Sequence, residues 1–207
     1  MFLGGVSFGG LVAAHACLST PDARWAGLLL AAPAVDVKWN PALRLQASVG
    51  AFLARLAPHF RGVAAVPPER LSRDPDAIRE YVEDPLVRVA NVRFLAGFEI
   101  LQGFRGLAPR REEIRTPLIV FHGDEDEACD FDVAREFVDA VGSDDKRFVA
   151  LPGTRHLLLH EPGADAVMDE MTAWVESRAA RWKTETGARA GGGEGAQPVL
   201  EHASPRL

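Results

Sequence analysis

A serine among glycines near the start of the chain most constrains the fold. Residues 5–10 read Gly-Val-Ser-Phe-Gly-Gly; they follow the apolar run Met-Phe-Leu and precede an apolar, helix-like segment at 11–18. This pattern predicts a β-strand, a sharp turn and a helix, with the Ser7 hydroxyl at the apex. Glycines suit such a turn because strand and helix approach closely and the backbone is strained. We therefore expect an α/β unit that presents Ser7.

The Gly-x-Ser-x-Gly pattern is typical of a nucleophile elbow, in which the following helix directs its N-terminal N–H groups at a developing oxyanion. A glycine-rich loop without catalytic function is the alternative interpretation. To distinguish the two, a base and an acid are needed downstream, in the chain order Ser, Asp, His.

Length and charge exclude several classes of protein. The 207 residues suffice for one domain with a sizeable core, and the net charge of −6 argues against a nucleic-acid partner. Cys17 and Cys129 are too few for a disulfide framework and are interpreted as free thiols. No apolar run is long enough to cross a bilayer. Residues 1–17 superficially resemble a secretory signal, but they lack a positively charged start. We therefore expect a cytoplasmic or peripheral membrane protein.

Apolar runs predict buried parallel strands. Residues 25–32 and 116–121 are almost continuously apolar, as in strands covered on both faces, and residues 146–151 form a shorter run. Amphipathic helices are predicted at about 132–141 and 165–182. Together with the strand before Ser7, this predicts an α/β fold with a parallel sheet of about four strands.

A helical insertion is predicted between the second and third of these strands, at residues 35–111. Pro41 opens one helix, and Asp74-Pro75 has the pattern of an N-cap followed by proline at the first helical position. A third amphipathic segment begins near Val89. The insertion is longer than one crossover needs, so we interpret it as a cap over the serine, with ordinary crossover helices as the alternative. The first helix carries apolar side chains along one face: Leu45, Val49, Phe52, Leu53 and Leu56.

The predicted organisation therefore has four parts. Residues 1–34 hold the elbow strand, its helix and the next strand, and residues 35–111 form the helical cap. Residues 112–183 complete the sheet and its helices. Residues 184–207 are predicted to be a disordered tail, because they consist mostly of small and polar residues.

Candidate partners for Ser7 lie in loops after two predicted strands. Asp126 follows the strand that ends near His122, and His156 follows the strand that ends near Leu151. His156 would act as general base, and Asp126 would orient its ring. Asp124 and Asp130 are alternatives for the acid, and His160 is an alternative for the base. His122 is expected to be a structural hydrogen-bonding residue, and no metal site is predicted because no ligand spacing resembles a zinc pattern.

Three motifs together resemble the monoacylglycerol lipase family of α/β-hydrolases. They are Gly-Val-Ser-Phe-Gly-Gly at 5–10, His-Gly-Asp-Glu-Asp at 122–126, and Gly-Thr-Arg-His at 153–156 with Glu161-Pro162. Three cap segments are also similar to the family: Val-Lys-Trp-Asn-Pro at 37–41, Leu-Ser-Arg-Asp-Pro at 71–75 and Asp-Pro-Leu-Val at 84–87. The similarity extends over residues 1 to about 180 and implies a partial α/β-hydrolase fold.

The resemblance implies a serine hydrolase that cleaves acyl esters, of the monoacylglycerol lipase, lysophospholipase or carboxylesterase type. It assigns Ser7, Asp126 and His156 to a catalytic triad and the backbone N–H of Phe8 to the oxyanion hole. Tyr81 corresponds in placement to a cap tyrosine near the alcohol part of the substrate, with cap packing as the alternative role. The implied partner is a small lipid-like ester, with peripheral membrane contact through the cap and no cofactor. Acyl transfer to an alcohol is an alternative reaction.

The chain departs from the family before the elbow. The family places about a hundred residues there, with more strands and a His-Gly loop that supplies a second oxyanion donor. We therefore expect an N-terminally truncated member, and loss of one oxyanion donor typically costs on the order of 3 kcal/mol of transition-state stabilisation. A catalytically impaired fragment, with at most an interaction role, is the alternative to an active enzyme.

Overall fold

A computed structural model describes the backbone of residues 1–190 and the side chains of residues 1–184. The strands and helices are, in chain order, β1 (Phe2–Val6), α1 (Phe8–Ser19), β2 (Gly27–Ala31), α2 (Pro41–Leu56), β3 (Arg61–Val63), α3 (Pro75–Glu83), β4 (Val92–Arg93), α4 (Phe94–Leu107), β5 (Leu118–Gly123), α5 (Phe131–Ala140), β6 (Lys146–Leu151) and α6 (Ala164–Ala190). Short 3₁₀ helices span Pro68–Arg70, Ala108–Glu113 and Leu158–His160.

The main sheet is parallel and has the strand order β1-β2-β5-β6. Every residue of β5 is buried, as the continuous apolar run predicted. The parallel sheet of about four strands is therefore confirmed. Because all four strands point the same way, the loops that follow them meet at one edge of the sheet.

Helices cover both faces of this sheet. Alternate strand residues point to opposite faces, so Leu28 and Leu30 of β2 pack towards α1, α4 and α5. Ile119 and Phe121 of β5 pack on the other side against Val167 and Trp174 of α6. Val167 and Trp174 thus lie on the core face of the last helix, which the sequence predicted to be amphipathic.

The insertion between β2 and β5 contains α2, α3 and α4, as predicted, and also a small antiparallel ribbon of β3 and β4. The sequence missed this ribbon because strands of three and two residues are too short to show an alternation. Val92 lies in β4 rather than on the predicted helix, which begins only at Phe94. The ribbon is tied by stacking of Phe60 on Phe94. The chain division at residues 34/35 and 111/112 stays a prediction.

Helix α2 has the predicted start, since Pro41 occupies its first turn and the Asn40 side chain caps it. Its buried residues are the small Ala47 and Ala54, and it packs against α4. The larger apolar side chains are 49–70% exposed: Leu45, Val49, Phe52 and Leu56. The apolar face of α2 therefore faces away from the core.

Helix α6 reaches Ala190, whereas the sequence placed its end near Trp182 and the tail from residue 184. Residues 183–190 contain no proline, and their lysine, glutamate, arginine and alanines favour helix enough to continue an existing one past Gly187 and two threonines. The rest of the predicted tail lies outside the described residues. None of the described helices has both the length and the apolar character needed to cross a membrane.

Strand β1 is the edge of the described sheet, and it leaves apolar side chains on the surface. Val6, Phe8 and Val12 are each about half exposed. An edge strand with unpaired backbone groups and exposed apolar neighbours can accept further chain.

Candidate active site

Ser7 occupies the turn between β1 and α1 in a strained backbone conformation. Its φ is 53° and its ψ is −124°, a region that residues with a side chain rarely adopt. The Ser7 N–H donates to Ala31 O at 3.0 Å, which ties the turn to the end of β2. The Ser7 hydroxyl makes no capping hydrogen bond to its own helix. The turn therefore presents a serine hydroxyl that the helix does not use.

Glycines make this turn possible by letting backbones touch. A Cβ atom on Gly5 would lie 2.2 Å from Gly9 O, and one on Gly10 would lie 2.5 Å from the Cβ of Pro33. Both contacts are far shorter than atoms allow. The close approach that the sequence motif predicted is therefore required at Gly5 and Gly10.

The first N–H of α1 belongs to Phe8, the predicted oxyanion donor. An N–H in the first helical turn has no acceptor within its own helix, and the helix dipole favours negative charge there. The described backbone hydrogen bonds outside the helices include none from Phe8. This N–H is adjacent to Ser7 in the chain and available to an oxygen bound at the serine.

Asp126 lies in the loop between β5 and α5, which we call the acid loop. His156 lies thirty residues later, in the loop between β6 and α6, which we call the base loop. His156 Nδ1 lies 2.8 Å from Asp126 Oδ2, and both side chains are almost fully buried. The other oxygen, Oδ1, accepts the N–H groups of Ala128 and Cys129 at 2.7 and 3.0 Å. Gly123 permits this arrangement, because a Cβ there would lie 2.1 Å from Thr154 O. The acid loop and the base loop are thus in backbone contact.

His122 supports the same carboxylate from inside the protein. It is fully buried, and its Nε2 lies 3.2 Å from Asp126 Oδ2 and 3.1 Å from Cys129 O. Burial alone would raise the pKa of the Asp126 carboxyl, but the hydrogen bonds from His122 and His156 outweigh it and hold that pKa well below its usual range. Asp126 is therefore a carboxylate at neutral pH, as an imidazole partner requires.

The thiol of Cys129 lies close to Ser7 and also close to the Asp126–His156 pair. Ser7 Oγ lies 4.0 Å from Cys129 Sγ, and this sulfur lies within 4.8 Å of ligand atoms of both His156 and Asp126. No hydrogen bond joins Ser7 directly to His156 in the described side chains. Burial raises the pKa of the Cys129 thiol to about 12, and the charge of Asp126 adds to this. The thiol stays protonated, so Cys129 is a neutral neighbour of the serine and not a rival nucleophile.

The other candidate acids and the other candidate base have different contacts. Asp124 Oδ1 accepts the Gly153 N–H at 2.7 Å and so holds the base loop. Asp130 caps α5 through the Val133 N–H and pairs with Lys38 at 3.0 Å. His160 is exposed at the end of a 3₁₀ helix. Among the candidates, the pair in direct contact is Asp126 and His156.

Asp126, Cys129 and His156 are also the group of described residues whose spacing could hold a metal ion. Both carboxylate oxygens of Asp126 already accept hydrogen bonds, and the Cys129 thiol holds its proton strongly. Metal binding needs a thiolate and free carboxylate lone pairs. The arrangement therefore suits a hydrogen-bonded acid and base better than a metal centre.

A cavity of about 430 Å³ lies beside the acid loop. Its wall includes Asp126 and Cys129 as well as apolar and charged residues from the start of the cap and from α4. The other lining residues are Ala34, Asp36, Val37, Lys38, Phe104, Glu127, Ala128 and Asp130. The cavity brings a partly apolar space to the neighbourhood of Ser7.

Tyr81, which the family resemblance put near the substrate, lies half-buried on α3. None of the described hydrogen bonds joins it to Ser7, Asp126 or His156, and it does not line the cavity beside the acid loop. Its substrate role stays a prediction.

Sequence reasoning missed three residues that the fold brings to the site. Cys129 was interpreted only as a free thiol, yet it contacts the serine. Ser72 and Glu161 were noted only as parts of family motifs, yet they form a buried hydrogen bond of 2.6 Å between cap and base loop. No periodicity or spacing signals such contacts, because the partners lie 89 and 122 residues apart.

Comparison with known proteins places the chain in a family. A model of the serine aminopeptidase S33 family matches residues 1–163. The chain is 29% identical over 171 residues to a monoacylglycerol lipase of Mycolicibacterium smegmatis, covering 82% of this chain and 59% of that protein. It is 25% identical over 182 residues to the monoglyceride lipase of Rattus norvegicus, covering 87% of this chain and 59% of the relative.

The fold comparison agrees with the sequence comparison. The crystal structure of a monoacylglycerol lipase from Paleococcus ferrophilus superposes with a TM-score of 0.77 at 24% identity, over 86% of this chain and 68% of that one. The chain spans about three fifths of the length of the curated relatives it matches. The predicted resemblance and the partial α/β-hydrolase fold are confirmed, and the chain belongs to the serine aminopeptidase S33 family of hydrolases.

Proposed function

We propose that the chain carries a serine ester hydrolase site in which Ser7 is the nucleophile, His156 the general base and Asp126 the residue that orients the base. The main observation is the buried contact of 2.8 Å between Asp126 and His156, next to a serine with strained backbone angles. Because the Asp126 carboxylate holds Nδ1 of His156, Nε2 is left to accept the proton of a hydroxyl.

The reaction follows from this arrangement. His156 takes the hydroxyl proton as Ser7 Oγ attacks the ester carbonyl, and the oxyanion accepts the N–H of Phe8. This transfer requires the Ser7 hydroxyl to come within hydrogen-bond distance of His156 Nε2. His156 then protonates the leaving alcohol, and water cleaves the acyl-enzyme by the same proton transfers in reverse. An alcohol in place of water would give acyl transfer.

The proposed substrate is a small lipid-like acyl ester. Two relatives at 25–29% identity are named monoacylglycerol or monoglyceride lipases. The cavity of about 430 Å³ offers apolar walls from Ala34, Val37 and Phe104 near the acid loop. Monoacylglycerols, lysophospholipids and simple carboxylic esters all share the acyl ester group that this site would cleave.

Peripheral contact with a lipid surface is part of the proposal. The apolar face of α2 presents Leu45, Val49, Phe52 and Leu56 to solvent, all on the cap. Contiguous exposed apolar residues on an amphipathic helix are typical of surfaces that contact lipid or protein. A cap that touches the lipid phase would receive its substrate from there.

A catalytically impaired fragment is the second candidate. One observation favours it: no hydrogen bond among the described side chains joins Ser7 to His156, and the Ser7 hydroxyl contacts Cys129 instead. The N–H of Phe8 is the single oxyanion donor that we assign among residues 1–190. In this case the acid and base would remain without a competent site.

A fluorophosphonate probe distinguishes the two candidates. The active-site proposal expects covalent labelling of the purified chain, loss of labelling in Ser7→Ala, and normal labelling in the control Ser48→Ala, which changes an exposed serine on α2. His156→Ala should slow labelling at least a hundredfold. A folded chain that shows no labelling would support the impaired fragment, and labelling that survives Ser7→Ala would refute the assigned nucleophile.

A further inference from the structure

One short segment of the cap binds the chain on both sides of both Asp126 and His156. This segment, residues 69–73, has the sequence Glu-Arg-Leu-Ser-Arg and precedes α3. We call it the clamp segment. It begins within the 3₁₀ helix Pro68–Arg70 and lies at the surface only in part, since Leu71 and Ser72 are 7% and 2% exposed.

On the base side, the neighbours of His156 bind the clamp segment through its backbone. Leu157 N–H donates to Leu71 O at 2.8 Å, and the Arg155 guanidinium donates to Glu69 O at 2.9 Å and Ser72 O at 3.2 Å. The base loop lies between β6 and α6 and includes the short 3₁₀ helix Leu158–His160, so no strand ladder holds it. Its position therefore depends on these contacts together with those from the acid loop.

On the acid side, the neighbours of Asp126 pair with the two arginines of the clamp segment. Arg73 pairs with Glu125, and Arg70 pairs with Glu127 at 3.4 Å. All four side chains are about half exposed, so water screens these ion pairs and each stabilises the contact only a little. These ion pairs align the clamp segment with the acid loop, but they contribute little to the free energy that keeps the two together.

The buried centre of the clamp is a carboxylate. Glu161 is 4% exposed, and its Oε1 accepts the Ser72 hydroxyl at 2.6 Å and the Arg73 N–H at 2.7 Å. Hydrogen bonds to a buried carboxylate are among the strong ones, and breaking them strands a buried polar group. The other oxygen, Oε2, is buried without a hydrogen-bond partner. Glu161 therefore joins the cap to the base loop by one oxygen.

We propose that Glu161 is a positioning residue for His156, and that it acts by locking the clamp segment 69–73 between the acid and base loops. The inference rests on the proposed function, in which His156 is the base. It implies that this part of the cap is a fixed anchor and that any opening of the cap pivots elsewhere. Since the acid and the base lie on separate loops, one segment that binds both keeps their spacing constant.

The test compares Glu161→Ala, Glu161→Gln and Ser72→Ala in the full chain, with Glu176→Ala on the exposed face of α6 as matched control. The first readout is the downfield proton NMR signal of the His156 Nδ1–H bound to Asp126, assigned by its loss in His156→Gln. The second is the rate of fluorophosphonate labelling at Ser7. The NMR signal needs no turnover, so it separates failure of the clamp from failure of the proposed function.

We expect Glu161→Ala and Ser72→Ala to weaken or shift the NMR signal and to slow labelling roughly ten- to a hundredfold, as small misplacements of a base do. For a substrate bound in the cavity beside the acid loop, kcat should fall while KM stays within about twofold, because the clamp segment does not line that cavity. Glu69, Ser72 and Arg73 line a different cavity, of about 380 Å³. Glu161→Gln should recover most of the loss, since its amide oxygen replaces Oε1 and its NH₂ group takes the place of the unpartnered Oε2.

Unchanged signal and unchanged labelling in both alanine variants would overturn the proposal, as would a folded Glu161→Gln chain no better than Glu161→Ala. If Glu161→Ala does not fold, Ser72→Ala decides, because it removes a single hydroxyl. A wild-type chain that shows the signal without labelling, and loses it in Ser72→Ala, would support the clamp and refute the enzyme. A wild-type chain with neither signal nor labelling would refute the Asp126–His156 pair on which the clamp acts.

Discussion

At the scale of single residues, the Asp126 carboxylate shows how a buried charge is kept ionised. Oδ1 accepts two backbone N–H groups from its own loop, and Oδ2 faces the imidazoles of His122 and His156. Burial alone would favour the neutral acid, so the carboxylate stays ionised only if its hydrogen bonds lower the pKa by more than burial raises it. The hydrogen bonds have the larger effect, since the pKa of Asp126 lies below its usual range. The same contacts hold the imidazole ring of His156 in one orientation.

The lowered pKa predicts how stability depends on pH. A carboxyl with a depressed folded-state pKa stabilises the fold fully above its unfolded pKa of about 3.9, and this contribution is lost as pH falls towards the folded value. Unfolding by urea should therefore show that Asp126→Asn is less stable than wild type by on the order of 2 kcal/mol at pH 7. The difference should shrink below about pH 4.

Asp169→Asn, on the exposed face of α6, is the control for this prediction. It should leave the free energy of unfolding within about 0.5 kcal/mol of wild type. A stability difference between wild type and Asp126→Asn that is equal at pH 3 and pH 7 would contradict the assigned hydrogen bonds.

At the scale of elements, the β1–turn–α1 unit is defined by backbone contact rather than by side chains. Gly5 sits against Gly9 and Gly10 of the helix, so strand and helix meet with no Cβ atom between them. Adjacent Gly4 has room, since a Cβ there would lie 3.7 Å from Leu29 O. The two neighbouring glycines therefore differ in what they permit, although the sequence shows them as an identical pair.

This difference predicts opposite tolerance to alanine. Gly5→Ala should destabilise the chain by about 3 kcal/mol, because the added methyl overlaps the Gly9 carbonyl and the helix has to move. Gly4→Ala should change stability by less than about 1 kcal/mol. Denaturant midpoints of the two variants measure this directly, and equal losses would show that the close approach at Gly5 is absent in solution.

At the scale of the whole molecule, the inner and outer faces of the cap differ in how they are packed. Towards the core, α4 buries Phe104 and Leu107, and α2 rests on α4 through alanines. The two ends of the insertion are joined by a largely buried ion pair of Asp36 with Arg111. Away from the core, α2 exposes its larger apolar side chains. The cap is thus anchored where it joins the core and apolar on its outer face.

The outer face predicts binding to lipid. The chain should sediment with phosphatidylcholine vesicles, and a double change of Leu45 and Phe52 to serine should weaken the partition by roughly tenfold or more, since it removes two large apolar side chains. The change should leave the thermal midpoint nearly unaltered, because both side chains are mostly exposed. The matched control is Glu80→Ala on the exposed face of α3. Equal vesicle binding by the double variant and the control would exclude α2 as the contact surface.

Much of the fold was predictable from sequence because it is encoded locally. The strands around Leu28 and Ile119, the cap of α3 at Asp74 and the turn at Ser7 are each determined by neighbours within a few residues. The order Ser, Asp, His along the chain was also visible. The same local reasoning favoured Asp126 by its position but kept Asp124 and Asp130 as alternatives, because all three occupy one loop and the approach of His156 is what distinguishes them.

The sequence by itself therefore determined the parallel sheet and the strained serine turn, since these depend on apolar periodicity and on glycines at set positions, and its three motifs carried the resemblance to the family. Tertiary structure alone decided which aspartate meets the imidazole, that Cys129 lies against Ser7, that α2 turns its apolar face outward, and that Ser72 meets Glu161. The physical reason is distance along the chain. These contacts join residues tens of positions apart or depend on how whole elements pack, and no local pattern records that geometry.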